Sequence, residues 1–151
     1  QRQGVTIVDD YAHHPTEIAA TIEAASQLGY NNVHVLFQPH RYSRAPLFTE
    51  VLHDEFGRAF NRADAITFMD VYPAGEAPVP GVSGKTFLNV VLDNPEHPHA
   101  DYVPRRIEVV PHLVDALAPG DLIITMGAGD VTAVGPELLD ALRRRNQKAQ
   151  G

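Results

Sequence analysis

The stretch Val5-Thr6-Ile7-Val8-Asp9-Asp10-Tyr11-Ala12-His13-His14-Pro15-Thr16-Glu17 decides the fold. An apolar run, Val5 to Val8, breaks into polar residues and a helical pattern then begins, which reads as strand, turn, helix. Pro15 stands where a first helical turn tolerates a missing N–H, and Thr16 and Glu17 bring the polar, acidic character favoured there. The helix is therefore expected to start at His14 or Pro15. In an open α/β sheet the crevice beyond the carboxyl ends of the strands is the usual ligand site, and a helix N-terminus there offers free N–H groups to anions. Two carboxylates, a phenol and two imidazoles fall between Asp9 and His14. Any one of them reads as a turn cap or a solvated loop residue; five packed together point to a site.

Outward from this turn the same pattern recurs. Ile18, Ala19, Ile22, Ala25 and Leu28 make one apolar stripe, ended by Gly29. Val33 to Phe37 reads as a buried second strand, with His34 a structural residue, and it runs into Gln38-Pro39-His40-Arg41-Tyr42-Ser43-Arg44. A helix is expected through Leu47, Phe48, Val51, Leu52, Phe56 and Phe60. Ala65 to Val71 gives a third strand, followed by the proline-rich loop Asp70-Val71-Tyr72-Pro73-Ala74-Gly75-Glu76 and a weakly periodic helix over Ser83 to Leu92. Asp93 to Ala100 reads as loop, Val103 and Ile107 to Val110 as strand four, and Pro111 to Leu117 as a short helix. Asp121 to Met126 is strand five, Gly127-Ala128-Gly129-Asp130 a tight turn, and Val131 to Leu142 the last helix. Alternating strands and helices predict a Rossmann-like α/β fold: a mostly parallel, doubly wound sheet of about five or six strands with helices on both faces. Strand two is expected beside the Asp10 turn. Residues 1–146 form the domain, and 147–151 are expected to be a disordered tail.

At 151 residues the chain is long enough for one ordinary core. It has no run of membrane-spanning length and no signal-peptide pattern. Zero cysteines exclude disulfides and thiolate metal sites and fit a cytoplasmic location. A net charge of -7, with a basic tract only at Arg143 to Arg145, argues against nucleic acid as a partner. An anionic ligand must then meet local positive charge. Residue 1 is Gln, and the first strand begins almost at once, so the chain is expected to be a piece of a longer protein.

Three motifs look chemical and are not read so. Gly84-Lys85-Thr86 invites a phosphate-loop reading, but the glycine required five positions earlier is Val79. Gly127-x-Gly129 resembles the start of a dinucleotide fingerprint, but the third glycine position is Thr132; a turn that a ligand or another backbone approaches closely is the better reading. His97 and His99 lack a third ligand, so no metal is assigned. The turn from His40 to Arg44 differs, because two guanidinium groups three residues apart at a helix start can fork onto a carboxylate or phosphate. The plainer reading pairs them with Glu50 or Asp54.

Asp9 to Glu17, Gln38 to Arg44, Asp70 to Glu76 and Gly127 to Asp130, in that order, closely resemble the C-terminal domain of the Mur ligases of peptidoglycan synthesis. Among these they resemble most the pattern of the member that joins L-alanine to UDP-N-acetylmuramate. A relative that attaches a recycled tripeptide to the same nucleotide sugar is the alternative, and a self-standing nucleotide-binding module without catalysis is a second. The resemblance implies an ATP-dependent, ADP-forming amide ligase of three domains. The N-terminal domain would hold the UDP-sugar, and the central domain the phosphate loop and the Mg ligands. It implies that Asp10 and Tyr11 hold the nucleoside of ATP, with the Asp10 carboxylate aimed away from the helix it precedes. It also implies that His13, Arg41 and Arg44 surround the incoming amino acid and the developing charge, with His40, Gly127 and Gly129 in the tier behind. Without a phosphate loop, residues 1–151 alone are expected to be inactive.

Overall fold

The computed structural model describes residues 4–150. Five strands, β1 (Thr6–Asp10), β2 (Val33–Phe37), β3 (Ala65–Phe68), β4 (His99–Tyr102) and β5 (Leu122–Met126), form one parallel sheet in the order β1-β5-β2-β3-β4. The helices are α1 (Pro15–Ser26), α2 (His53–Arg58), α3 (Gly84–Leu92), α4 (Arg106–Ala116) and α5 (Val131–Gln150). Side chains alternate across the strands, as a sheet covered on both faces requires. Val33, Val35, Phe37, Leu122, Ile124 and Met126 join the core under α1, α2 and α3. Leu36 and Ile123 join the core under α4 and α5.

All six phenylalanines lie in the first core. Phe37, Phe56, Phe60 and Phe68 contact one another with ring centroids 5.2 to 6.3 Å apart, mostly tilted or edge-on. These are the arrangements that aromatic quadrupoles favour, and truncating one such ring to alanine costs about 3–5 kcal/mol.

Local chemistry explains where the helices begin. The imidazole of His14 is the N-cap of α1: its Nδ1 accepts the Thr16 N–H at 3.2 Å, and Glu17 reaches back to the His14 N–H at 3.2 Å. That is a capping box with an imidazole in the usual place of a hydroxyl, and it requires the Nε2–H tautomer. Ser83 caps α3 in the same way, with Thr86 as its partner. Gly84 packs against the Met69 carbonyl with no room for a side chain, so the Gly84-Lys85-Thr86 run serves helix docking.

The structure corrects four expectations. Strand four is His99–Tyr102, paired with β3, and Ile107 to Val110 lies in α4. Val109 and Leu113, four apart, are buried, whereas Ile107 is 76% exposed; this is helical spacing that a β-branched run disguised. The helix expected through Phe60 is broken: a 3₁₀ turn (Tyr42–Arg44) and a π-turn (Leu47–Val51) precede a short α2. The Leu52 N–H reaches the Leu47 carbonyl at 2.7 Å, five residues back. Strand β2 is not beside β1, because β5 lies between them and pairs with both. Helix α5 runs on to Gln150 through the residues expected to form a tail. Arg145 holds the Val114 and Leu117 carbonyls at 2.7 and 2.9 Å, and Arg144 pairs with Asp140 at 2.7 Å; Gly151 lies outside the described residues.

Candidate active site at the carboxyl edge of the sheet

The register lines up the last residues of the strands. Asp10 and Phe37 both face Met126, Phe37 faces Phe68, and Phe68 faces Tyr102. The loops beyond this row carry every residue proposed from sequence, and the turn after β5 holds them together. Gly127 lies between two neighbours: its N–H donates to the Asp10 carbonyl at 3.2 Å, and a Cβ on it would stand 2.6 Å from the Gln38 carbonyl oxygen. With φ +122 and backbone on both sides, only glycine fits, and this close approach lets the β1 and β2 loops meet although β5 separates their strands. Gly129, at φ +127, lies against the ring face of Tyr72, where a side chain would collide with it.

Tyr72 is in turn stacked on His40, with centroids 5.7 Å apart and an interplanar angle of 16°. The backbones join as well: Arg41 N–H donates to the Tyr72 carbonyl, and Tyr72 N–H to the Pro39 carbonyl, both at 2.8 Å. Glycine, tyrosine and histidine thus form a three-layer stack from three different loops. The His40 imidazole is held below its ordinary pKa, first by burial and then by Arg44, Arg41 and His13. It is a neutral hydrogen-bonding group beside two fixed cations.

Arg41 has φ 69 and ψ 134, a conformation L-residues rarely adopt. Strain of this kind persists where surrounding contacts over-determine it, and it clusters at functional sites. Among the described residues no carboxylate lies within ion-pair distance of Arg41 or Arg44; Glu50 and Asp54 do not pair with them. Glu76 instead accepts both the backbone N–H and the hydroxyl of Ser43, which lies between the two arginines. That clasp, chiefly its hydroxyl, keeps the Glu76 carboxyl below its usual range.

His13, His40 and Arg44 converge on the rim of a cavity of about 10 Å³. Its apolar wall is Phe37, Pro39, Phe48 and Phe87. His13 Nδ1 lies 3.1 Å from the Tyr11 carbonyl, and donation there leaves Nε2 as an acceptor. Arg41, exposed, stands outside this cavity.

Asp10 and Tyr11 diverge. Tyr11 is 69% exposed. The Asp10 carboxylate folds back onto its own helix, contrary to the expected aim: Oδ1 accepts the Ala12 N–H at 2.8 Å and Oδ2 the Thr21 hydroxyl at 3.0 Å. An acidic residue two positions before a tight turn closes that turn locally, and each oxygen keeps a lone pair for a further donor. Asp9 is taken up by Thr125, whose hydroxyl donates to it at 2.7 Å.

Sequence reading gave no role to Gln38, which is buried and central. Its Oε1 accepts the Val131 N–H, the first of α5, at 3.0 Å, and its Nε2 donates to the Asp70 carbonyl at 3.3 Å. One amide ties the ends of β2, β3 and β5. The available signal was a polar residue directly after a fully apolar strand.

Residues 1–129 match the family described as Mur ligase, glutamate ligase domain. The UDP-N-acetylmuramate–L-alanine ligase of Acidobacterium capsulatum is 46% identical over 142 residues, covering 94% of this chain and 29% of its own. That of Pelotomaculum thermopropionicum is 46% identical over 145 residues, covering 96% and 30%. The chain therefore spans about three-tenths of the length of these curated relatives. Among solved structures, a murein peptide ligase from Psychrobacter arcticus superposes with a TM-score of 0.71 at 20% identity, over 93% of this chain and 28% of that one, a likeness of fold.

Proposed function

The chain belongs to the Mur ligase family, and from that premise we propose that it is the C-terminal domain of an ATP-dependent ligase joining L-alanine to UDP-N-acetylmuramate in peptidoglycan synthesis. The observation that carries the reading is the convergence of His13, His40 and Arg44 on one small cavity, with both site guanidinium groups free of carboxylate partners. An acyl phosphate attacked by an amine passes through a tetrahedral, oxyanionic intermediate, and cations and N–H donors fixed in advance stabilise it. Arg44 is placed to fork onto the carboxylate of the incoming amino acid, and Arg41 to meet phosphate or oxyanion charge. The neutral His40 and His13 supply hydrogen bonds without adding a third positive charge. Tyr11, exposed beside Asp10, offers a ring for the nucleoside of ATP. The central and N-terminal domains of the same polypeptide would bring the phosphate loop, the Mg ligands and the UDP-sugar.

The identity of near 46% to alanine ligases, against 20% to the peptide-ligase fold neighbour, favours a single amino acid over the tripeptide as substrate. The test is phosphate release by the full-length enzyme with ATP, Mg and UDP-N-acetylmuramate, supplied either with L-alanine or with the tripeptide. Turnover with alanine alone supports the reading; turnover with the tripeptide alone assigns the chain to the recycling ligase.

A further inference from the structure

The cavity between the two arms of the site is unusual in its size and in how its wall is built. About 10 Å³ holds roughly one water-sized or methyl-sized group. Its rim is cationic and imidazole, at Arg44, His40 and His13, while its depth is aromatic. An amino acid whose carboxylate meets Arg44 on the rim would therefore present its side chain to an apolar dimple with space for one carbon.

Three rings form that depth, and they are not equivalent. Phe37 is held in β2, and Phe87 is buried in α3. Phe48 lies on the π-turn Leu47–Val51, the segment of this site where the backbone leaves regular geometry. Phe48 is the buried residue of that turn, while Val51 is 74% exposed. The wide turn thus faces one ring inward and leaves its neighbours outside. π-turns of this kind recur at functional sites. Phe48 cannot withdraw, because its ring already rests on Phe56 at 5.0 Å and on Phe87 at 5.9 Å between centroids.

We propose that Phe48 is the specificity-determining residue that limits the side chain of the amino acid substrate to a single methyl group. This deepens the ligation reading above and rests on it. Alanine fills the dimple and glycine leaves it empty. L-2-aminobutyrate, one methylene longer, must displace a ring pinned by two others in an interior packed as densely as a crystal. A missing methylene in an apolar pocket weakens selection by about 10-fold to 200-fold, and an added one in a closed pocket is rejected at least as strongly.

The experiment measures kcat/KM of the full-length ligase for glycine, L-alanine, L-2-aminobutyrate and L-valine, in the parent and in Phe48→Leu, with thermal melting of each. In the parent, alanine is expected to exceed 2-aminobutyrate by about tenfold or more. In Phe48→Leu that ratio is expected to shrink about tenfold through a gain for 2-aminobutyrate, with the KM for ATP unmoved. A parent that uses 2-aminobutyrate within about threefold of alanine overturns the proposal whether or not the variant folds. A folded Phe48→Leu with an unchanged ratio overturns it too. Loss of this gauge with alanine turnover intact leaves the ligation reading standing, whereas a parent with no alanine turnover removes both.

Discussion

Glu76 accepts two hydrogen bonds from Ser43, one from its backbone N–H at 3.1 Å and one from its hydroxyl. The loop after β3 thereby holds the 3₁₀ turn that carries Arg41 and Arg44, thirty-three residues earlier in the chain. Misplacing a substrate clamp by about 1 Å costs on the order of a hundredfold in rate. Glu76→Ala is therefore expected to lower kcat/KM for the amino acid by about tenfold to a hundredfold while the melting temperature moves little. Glu76→Gln keeps an acceptor for the Ser43 N–H and should recover most of the loss. Equal damage from both variants would show that the charge of Glu76, not the clasp, matters.

Two carboxylates make the domain sensitive to acid. Glu17 is held below its usual pKa first by the His14 N–H and then by the His13 N–H, and Glu76 by Ser43. A folded-state pKa below the unfolded value means that the ionised form stabilises the fold above the ordinary carboxylate range. That contribution is lost as the pH falls through the lowered folded values. Melting temperature should hold down to about pH 5 and then fall toward about pH 3. In Glu17→Gln, which preserves a capping-box acceptor, the decline should be shallower. A decline as steep as in the parent would assign the acid sensitivity to other groups.

Arg41 separates stability from function. Its φ of 69 suits glycine, and strain at such a position costs on the order of 1–3 kcal/mol, against about 0.5–1 kcal/mol for glycine's extra chain entropy. Arg41→Gly is expected to raise stability by up to about 1 kcal/mol and to lower turnover of the full-length ligase about a hundredfold, the loss of roughly 3 kcal/mol in the transition state. Arg44→Ala should lose a similar amount of turnover without the gain in stability. Denaturant melts beside steady-state kinetics check both; an Arg41→Gly enzyme with near-normal turnover would return Arg41 to the surface.

Gln38→Leu tests the amide beneath the site. Val131 is fully buried, and its N–H finds its acceptor in the Gln38 side chain. Leaving that donor without a partner costs about 1–3 kcal/mol, and the start of α5 and the Gly127 turn lose their tether to β2. The expected result is a destabilised domain whose amide exchange rises first around Val131 and Asp70. Unchanged protection there would mean that packing alone places the turn.

What the sequence disclosed depended on whether the cause was local. The start of α1 was readable because Pro15, Thr16 and Glu17 act within one turn, and β2 because Val33 to Phe37 is apolar almost throughout. Edge strand β4 was not readable: His99-Ala100-Asp101-Tyr102 pairs on one side only and stays polar, while the β-branched residues of α4 imitate a strand. The place of β5 between β1 and β2 is a long-range choice, visible only through what it makes of Gly127. Arg41 and Arg44 could be picked out by type and spacing. Their freedom from ion pairs, the Glu76 clasp and the inward turn of Phe48 arise from residues brought together by the fold.

Asp10 offers the sharpest remaining division between structure and ligand. Its carboxylate accepts the Ala12 N–H and the Thr21 hydroxyl, so it shapes the turn before α1 whether or not a nucleotide binds. Asparagine can satisfy both neighbours: its oxygen accepts from Ala12, and its amide donates to the Thr21 oxygen, which can reverse its role. Asp10→Asn should therefore leave stability within about 0.5 kcal/mol of the parent. What it removes is the charge that would strengthen hydrogen bonds from ribose hydroxyls, worth about 1.5–3 kcal/mol where such bonds are well made. In the full-length ligase the KM for ATP is expected to rise about tenfold or more, with the KM for L-alanine nearly constant. Thr21→Val provides the control, since it frees Oδ2 from its internal partner without touching the charge, and should leave the KM for ATP unchanged or lower. If Asp10→Asn alters neither stability nor the ATP dependence, the carboxylate belongs to the turn alone, and Tyr11 is left to meet the nucleoside without it.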